Sequence, residues 1–181
     1  IMIGHKGHPE VVGTMGQVEK NSLYNEMYLV ENIEDVKKLK VPNPNKLSYV
    51  SQTTLSIDDT KKIIDALKEK YPLIIGPKND DICYATQNRQ EAVKKMLNQH
   101  DLILVVGSQN SSNSNRLVEI AKDKNIEAML LDDMADFNKN CLKDKKNIGI
   151  TAGASAPETL VQDLIKEIKK DKEISITEVS G

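Results

Sequence analysis

Tryptophan is missing from these 181 residues, and phenylalanine occurs once beside five tyrosines. A core without large rings must be built from Ile, Leu, Val, Ala and Met, which suits helices packed on a parallel sheet better than a β-sandwich. Cysteine is almost as scarce. Cys83 and Cys141 lie far apart and in no CxxC arrangement, so a reducing, cytoplasmic setting is expected in preference to a disulfide scaffold. No apolar run approaches the roughly 18 residues of a membrane span, and no signal peptide is legible. The chain does not open on Met; Ile1-Met2-Ile3-Gly4 reads as the end of a strand, as if the sequence began inside a fold. A surplus of one charge is lacking too, since 25 Lys and Arg face 27 Asp and Glu for a formal net charge of −2. With no basic stripe interleaved with aromatics, nucleic-acid binding has no electrostatic support.

What remains is the balance of a soluble globular chain, 39% hydrophobic and 29% charged, long enough for one domain or two small ones. Strand-like runs fall at Ile1–Ile3, Met27–Val30, Leu47–Val50, Leu73–Ile75, Leu102–Val106, Ala128–Leu131 and Ile148–Ile150. Helical patterns lie between most of them, over Ile57–Lys70, Arg89 to about Gln99, Asn115–Lys124 and Pro157–Lys170. In the last, Leu160, Val161, Leu164, Ile165 and Ile168 form a helix stripe rather than a strand alternation. Strand, loop and helix in repetition predict an α/β fold with mainly parallel sheets. The breaker-rich Gly76-Pro77-Lys78-Asn79-Asp80 marks a domain boundary, giving one small α/β domain over residues 1–78 and another over 79–181. Ile174–Val179 reads as a late strand or an ordered tail, and the sequence does not choose.

At several strand ends the chain turns through small hydroxyl or amide residues into a helix: Ser51-Gln52-Thr53-Thr54, Gly107 to Ser114, and Thr151-Ala152-Gly153-Ala154-Ser155. Loops at the carboxyl ends of parallel strands are where α/β sheets bind ligands, and free N–H groups at a helix start favour an anion such as phosphate. The competing explanation for each loop is simple capping. Ser56 with Asp59, and Ser155 with Glu158 around Pro157, both fit helix-start signatures. Ser111 to Ser114, however, holds more hydroxyls and amides than one cap needs.

Four residues can carry chemistry. Cys83 stands just before a helix, where a thiolate is favoured, although a lone cysteine is more often a buried small hydrophobe. His8 and Glu10, with His5, follow a strand directly and can serve as anion ligand and proton donor; equally, they can be exposed loop residues. His100 reads as a helix C-terminal residue favourable to the dipole, and Cys141 in its charged run has no functional setting.

Five blocks, in order and spread over nearly the whole chain, carry a resemblance. They are Gly4-His5-Lys6-Gly7-His8-Pro9-Glu10 followed by Gly13-Thr14-Met15-Gly16-Gln17; Gln52-Thr53-Thr54-Leu55-Ser56; Asp81-Ile82-Cys83-Tyr84-Ala85-Thr86 with Asn88-Arg89-Gln90; Val106-Gly107-Ser108 with Asn110 to Leu117; and Thr151 to Pro157. Together they resemble the 4-hydroxy-3-methylbut-2-enyl diphosphate reductase (IspH/LytB) family. The resemblance implies a trefoil of three small α/β domains around a 4Fe-4S cluster held by three cysteines, of which this chain would supply most of the second domain and the third. It makes Cys83 a cluster ligand, His8 a diphosphate-binding histidine, Glu10 the proton-delivering carboxyl group and Thr53 a neighbour of the substrate hydroxyl. It places Ser111, Ser112, Asn113 and Ser155 on the substrate's diphosphate. The implied reaction is reductive dehydroxylation of the allylic diphosphate to isopentenyl and dimethylallyl diphosphate, with ferredoxin or flavodoxin as electron donor. One departure matters as much as the match: the other two cysteines are absent, and Cys141 lies outside every block. The chain is therefore expected to be a fragment that is inactive alone, or a non-enzymatic phosphate-binding module.

Overall fold

The computed structural model describes residues 1–18, 26–78, 81–170 and 173–180. The chain divides into two units, Ile1–Cys83 and Tyr84–Gly181. The division falls beyond residue 78 because Ile82 packs into the first unit's core and Asp81 accepts the Ser51 N–H at 2.7 Å. Asn79 and Asp80, part of the expected boundary, lie outside the described residues.

The first unit runs β1 (Met2–Ile3), α1 (Pro9–Gly16), β2 (Leu29–Val30), α2 (Ile33–Lys38), β3 (Val50–Ser51) and α3 (Ile57–Lys70). Its strands are parallel in the order β2-β1-β3. Ile75 adds only a single parallel bridge, to Ser48, where the sequence predicts a strand over Leu73–Ile75. Pro72 and Pro77 flank that stretch and have no N–H to give to a ladder. The helix α3 begins at its cap Ser56, whose hydroxyl accepts the Asp59 N–H at 3.2 Å. Its buried Ile63 and Leu67 join Ile3, Val30, Val36 and Tyr71 in one apolar cluster. Neither α1 nor α2 stands out from apolar periodicity; each starts at a side-chain cap, His8 and Asn32 respectively.

The second unit runs α4 (Tyr84–Met96), β4 (Leu102–Val106), α5 (Ser112–Lys122), β5 (Glu127–Leu131), two short 3-10 turns, β6 (Ile148–Ala152) and α6 (Glu158–Lys169). Its parallel sheet has the order β5-β4-β6. All five residues of β4 are buried, and their alternation divides the core. Ile103 and Val105 meet Val93 and Met96 of α4 and Leu117, Val118 and Ala121 of α5. Leu102, Leu104 and Val106 meet Leu164 and Ile168 of α6 on the other face. The helices that follow the adjacent strands β4 and β6 therefore leave on opposite faces of the sheet. In open α/β sheets such a divergence marks the usual ligand position, at the strands' carboxyl ends.

Each unit is thus a small parallel sheet with flanking helices, the α/β class that the sequence pattern implies. Residues 173–180 form no strand. Among the described residues, no helix is long and apolar enough to cross a membrane.

Candidate functional site

In the first unit the loops after β1 and β3 meet. His8 caps α1 through Nδ1, which accepts the Glu10 N–H at 3.3 Å. In that arrangement a neutral ring carries its proton on Nε2. Pro9 at the first helical position fixes the turn and sends the half-buried Glu10 toward the β3 loop. There Oε1 accepts the Thr53 N–H at 2.9 Å and Oε2 accepts the Thr53 hydroxyl at 3.1 Å. Both oxygens of one carboxyl group are thus held by a single residue 43 positions away.

A residue outside the predicted set fixes this geometry. Gln52 is 1% exposed; its Oε1 accepts the His5 N–H at 3.1 Å and its Nε2 donates to the Thr54 hydroxyl at 2.9 Å. It joins the loop carrying Glu10 to the loop carrying Thr53. Gly4 permits this, because a Cβ there would collide with Val11 and press on Gln52 at 3.2 Å. The signal in the sequence was a polar residue directly after a strand, which reads as a loop rather than as a buried clamp.

Cys83 donates its backbone N–H to the Thr53 carbonyl at 3.1 Å, and its side chain is exposed. The alternative of a buried small hydrophobe is therefore set aside. His5 is exposed, with Nδ1 4.0 Å from Glu31, and makes no contact with the Glu10–Thr53 pair among the described hydrogen bonds. His100 donates from Nδ1 to the Met96 carbonyl at 2.8 Å, closing the end of α4 as its position predicts. Cys141 sits half-buried in the turn Lys139–Leu142, where burial and then the Glu127 carboxylate push its thiol up.

In the second unit the hydroxyl-rich loops also meet. Ser111 caps α5 by accepting the Ser114 N–H at 3.3 Å. The next turn holds Asn113, 5% exposed, and Ser114, 1% exposed. Neither amide atom of Asn113 nor the Ser114 hydroxyl has a hydrogen-bond partner. Buried polar atoms are nearly always satisfied, so three orphans in one helical turn single it out as a candidate ligand site. Gly153, after β6, donates to the Val106 carbonyl at 2.8 Å. A Cβ at Gly107 or at Gly153 would strike the Ser114 hydroxyl, so only glycine lets the two loops close on this turn. Ser155 lies exposed two residues on. It does not cap α6, as its spacing to Glu158 suggests; Pro157 is the N-cap and no side chain caps that helix.

These loops follow the blocks on which the resemblance rests, and comparison with known proteins agrees over the whole chain. The profile of the family described as LytB protein matches residues 1–169. The chain belongs to the LytB family. It is 54% identical over 187 residues to the 4-hydroxy-3-methylbut-2-enyl diphosphate reductase of Nitrosomonas europaea, and 56% identical over 181 residues to that of Psychromonas ingrahamii. Both matches take in all of this chain, which spans 57% of either relative's length. The solved structure of the E-1-hydroxy-2-methyl-but-2-enyl-4-diphosphate reductase from Plasmodium falciparum matches with a TM-score of 0.83 at 40% identity, over 93% of this chain and 51% of that one. The LytB chain described here is therefore similar to reductases in both sequence and fold.

The iron–sulfur cluster implied by the resemblance can be tested against the donors present. Cys83 offers one exposed thiol, the softness that iron–sulfur clusters require. Among the described residues no group of three or more His, Cys, Asp or Glu side chains is placed to hold a metal. These residues fit one corner of such a group and do not make a site for it.

Proposed function

We propose that this chain carries the proton-handling and anion-holding groups of a reductase acting on 4-hydroxy-3-methylbut-2-enyl diphosphate. The reaction consumes two electrons and two protons. The allylic C–O bond breaks, the hydroxyl leaves as water, and one proton adds to carbon to give isopentenyl or dimethylallyl diphosphate. A cluster ligated in part by Cys83 would supply the electrons, received from ferredoxin or flavodoxin. Its remaining ligands are not in this chain, so the chemistry argued from these residues concerns protons and charge.

The observation that carries the reading is the two-point hold of Glu10 on Thr53, beside the backbone of Cys83. A protonated Glu10 can pass its proton to the Thr53 oxygen as the threonine hydroxyl gives up its own, which makes Thr53 a relay as well as a guide for the substrate hydroxyl. His8, whose Nδ1 accepts the Glu10 N–H, is placed by the family resemblance on a phosphate oxygen of the substrate. Ser111, Ser112, Asn113 and Ser155 supply neutral donors at the α5 start and the β6 loop, where a diphosphate gains from the helix dipole. One observation favours a second reading, a non-enzymatic phosphate-binding module: the orphaned Asn113 and Ser114 need only an anion, not a cluster.

Glu10→Gln in the full-length protein separates the two. The substitution keeps the shape and an acceptor for the Thr53 N–H, with the Thr53 hydroxyl turned to accept from the amide NH2, while removing the transferable proton. Turnover with a chemical electron donor should therefore fall by about 10²–10⁴. Iron content and substrate affinity should stay unchanged. Near-normal turnover would remove Glu10 from the mechanism, and full-length protein that binds diphosphate without iron or turnover would favour the binding module. The 181-residue chain alone should take up no stoichiometric iron and sulfide after reconstitution.

A further inference from the structure

We propose that Arg89 is a positioning residue for the Ser155 loop, a role that rests on reading the strand-end loops of the second unit as an anion cradle. Helix α4 otherwise serves packing, burying Val93 and Met96 beneath β4. Arg89, half-buried, reaches out of it. Its Nε donates to the Ala152 carbonyl at 2.7 Å, and its Nη1 donates to the Ala85 carbonyl in its own helix at 3.4 Å.

Ala152 is the last residue of the edge strand β6; its partner Val106 bonds the Gly153 N–H, so the Ala152 carbonyl faces away from β4 and needs a donor from outside the sheet. The following residue, Gly153, is buried and gives its N–H to Val106 of β4. The β6 loop is thus fixed from two sides within two residues: from the sheet through the Gly153 N–H, and from α4 through the Ala152 carbonyl. Ser155 leaves that fixed point two residues later, with no capping bond to steady it. The direction of its hydroxyl depends on where Ala152 and Gly153 are held.

Arginine suits this task better than lysine. Its planar fork addresses two carbonyls in set directions, whereas an ammonium is a point charge on a flexible stem. Both acceptors are neutral carbonyls, so the bonds leave the guanidinium's positive charge uncancelled at the base of the loop. That charge also favours an anion above it.

Position and charge are separable. Arg89→Lys keeps the charge and loses the fork; Arg89→Met loses both. Affinity for inorganic pyrophosphate would be measured calorimetrically on the 181-residue chain, with the backbone amide resonances of Gly153, Ala154 and Ser155 recorded without ligand. A positioning role moves those resonances in both variants, while circular dichroism remains native, and weakens pyrophosphate binding by about tenfold or more even in Arg89→Lys. In a Ser155→Ala background the same Arg89→Lys change should have much less effect, because its route to the ligand is gone. Arg89→Lys that binds within twofold of the parent with unmoved resonances would overturn the proposal and leave Arg89 a charge alone. Equal losses with and without Ser155 would also overturn it. A parent chain that ignores pyrophosphate would defeat the cradle reading, and the ligand-free resonances would still decide whether Arg89 holds the loop.

Discussion

In the first unit, strands of two residues meet in a sheet with only two paired positions per ladder; in the second, strands of five residues pair along their whole length. The shorter ladder is supplemented by side chains. Gln52 joins two loops, Asp81 holds the Ser51 N–H, Glu10 grips Thr53, and Lys70 donates to the carbonyls of Val36, Lys37 and Leu39 at the end of α2. The longer ladder rests chiefly on its core, because β4 is buried on both faces. Side chains hold only the ends of β6, Asp101 the Lys146 and Asn147 N–H groups and Arg89 the Ala152 carbonyl. Its strand-end loops are free to leave Asn113 and Ser114 without partners. The contrast fits the function proposed above, in which Glu10 would deliver a proton and the α5 start would hold an anion. A proton donor must be held before substrate arrives, and hydrogen bonds within the protein do that in the first unit. Neutral anion donors must be free when the anion arrives, and a strong core beneath them makes that tolerable.

If the second unit rests on its core, the largest loss of stability should come from its central strand. Leu104 is fully buried and packs with Leu164 and Ile168 of α6. Leu104→Ala should cost about 2–5 kcal/mol, the range for a core leucine that leaves a cavity, read from urea denaturation with an unchanged slope. A loss below about 1 kcal/mol would mean that the site collapses freely and that the comparison with the first unit is misdrawn.

If the first unit rests on polar clamps, Gln52→Leu should come next. Leucine keeps much of the volume but leaves the His5 N–H without its acceptor and the Thr54 hydroxyl without its donor. Because His5 is exposed and Thr54 half-buried, water can replace part of what is lost, and the cost should be about 0.5–1.5 kcal/mol, the net worth of a hydrogen bond. The Thr53 amide resonance should move with it, because Thr53 follows Gln52 directly and bonds Glu10. Full stability with an unmoved Thr53 amide would show that the short ladder holds the loops unaided.

How much of this was legible in the sequence follows the same division. The helix α3 was readable to its ends because Ser56 caps it and Ile63 and Leu67 mark its face. The long strands β4, β5 and β6 were plain as apolar runs. The start of α4 was not: its buried positions are Thr86, Gln90, Val93 and Met96, and polar residues at the first two hid five residues of helix from an apolar reading. Helices α1 and α2 were hidden by length and by caps that look like loop residues. At the site, the motif blocks named Glu10, Thr53, Ser111 and Asn113. Composition alone could not bring Glu10 to Thr53 across 43 residues, since that contact depends on β1 and β3 being neighbours in the sheet. Gln52 and Arg89 stood inside the blocks without a role, because their work is done on backbone groups far off in sequence. Such partners leave no pattern in spacing.

The smallest expected effect concerns surface charge in the second unit. Glu167 lies between Lys170 at 2.6 Å and Lys139 at 2.9 Å, and their hydrogen bonds, Lys170's foremost, lower its carboxyl from 4.5 to about 2. A carboxyl group whose folded pKa is depressed binds fewer protons folded than unfolded in this window. Its stabilisation is therefore present above the ordinary value of 4.5 and is lost as pH falls from there toward about 2. Lys170→Met removes the first cause and should raise the folded pKa toward 4.5. The variant should be slightly less stable than the parent at pH 7, and the gap should close as pH falls toward 2. Because the ion pair is solvent-accessible, 1 M salt should also shrink the gap at neutral pH. Thermal midpoints of both proteins between pH 2 and 7, at low and high salt, would check this. A gap that persists at pH 2 and in salt would show that Lys170 acts through packing of its stem, and that the second unit too draws stability from side chains at its surface.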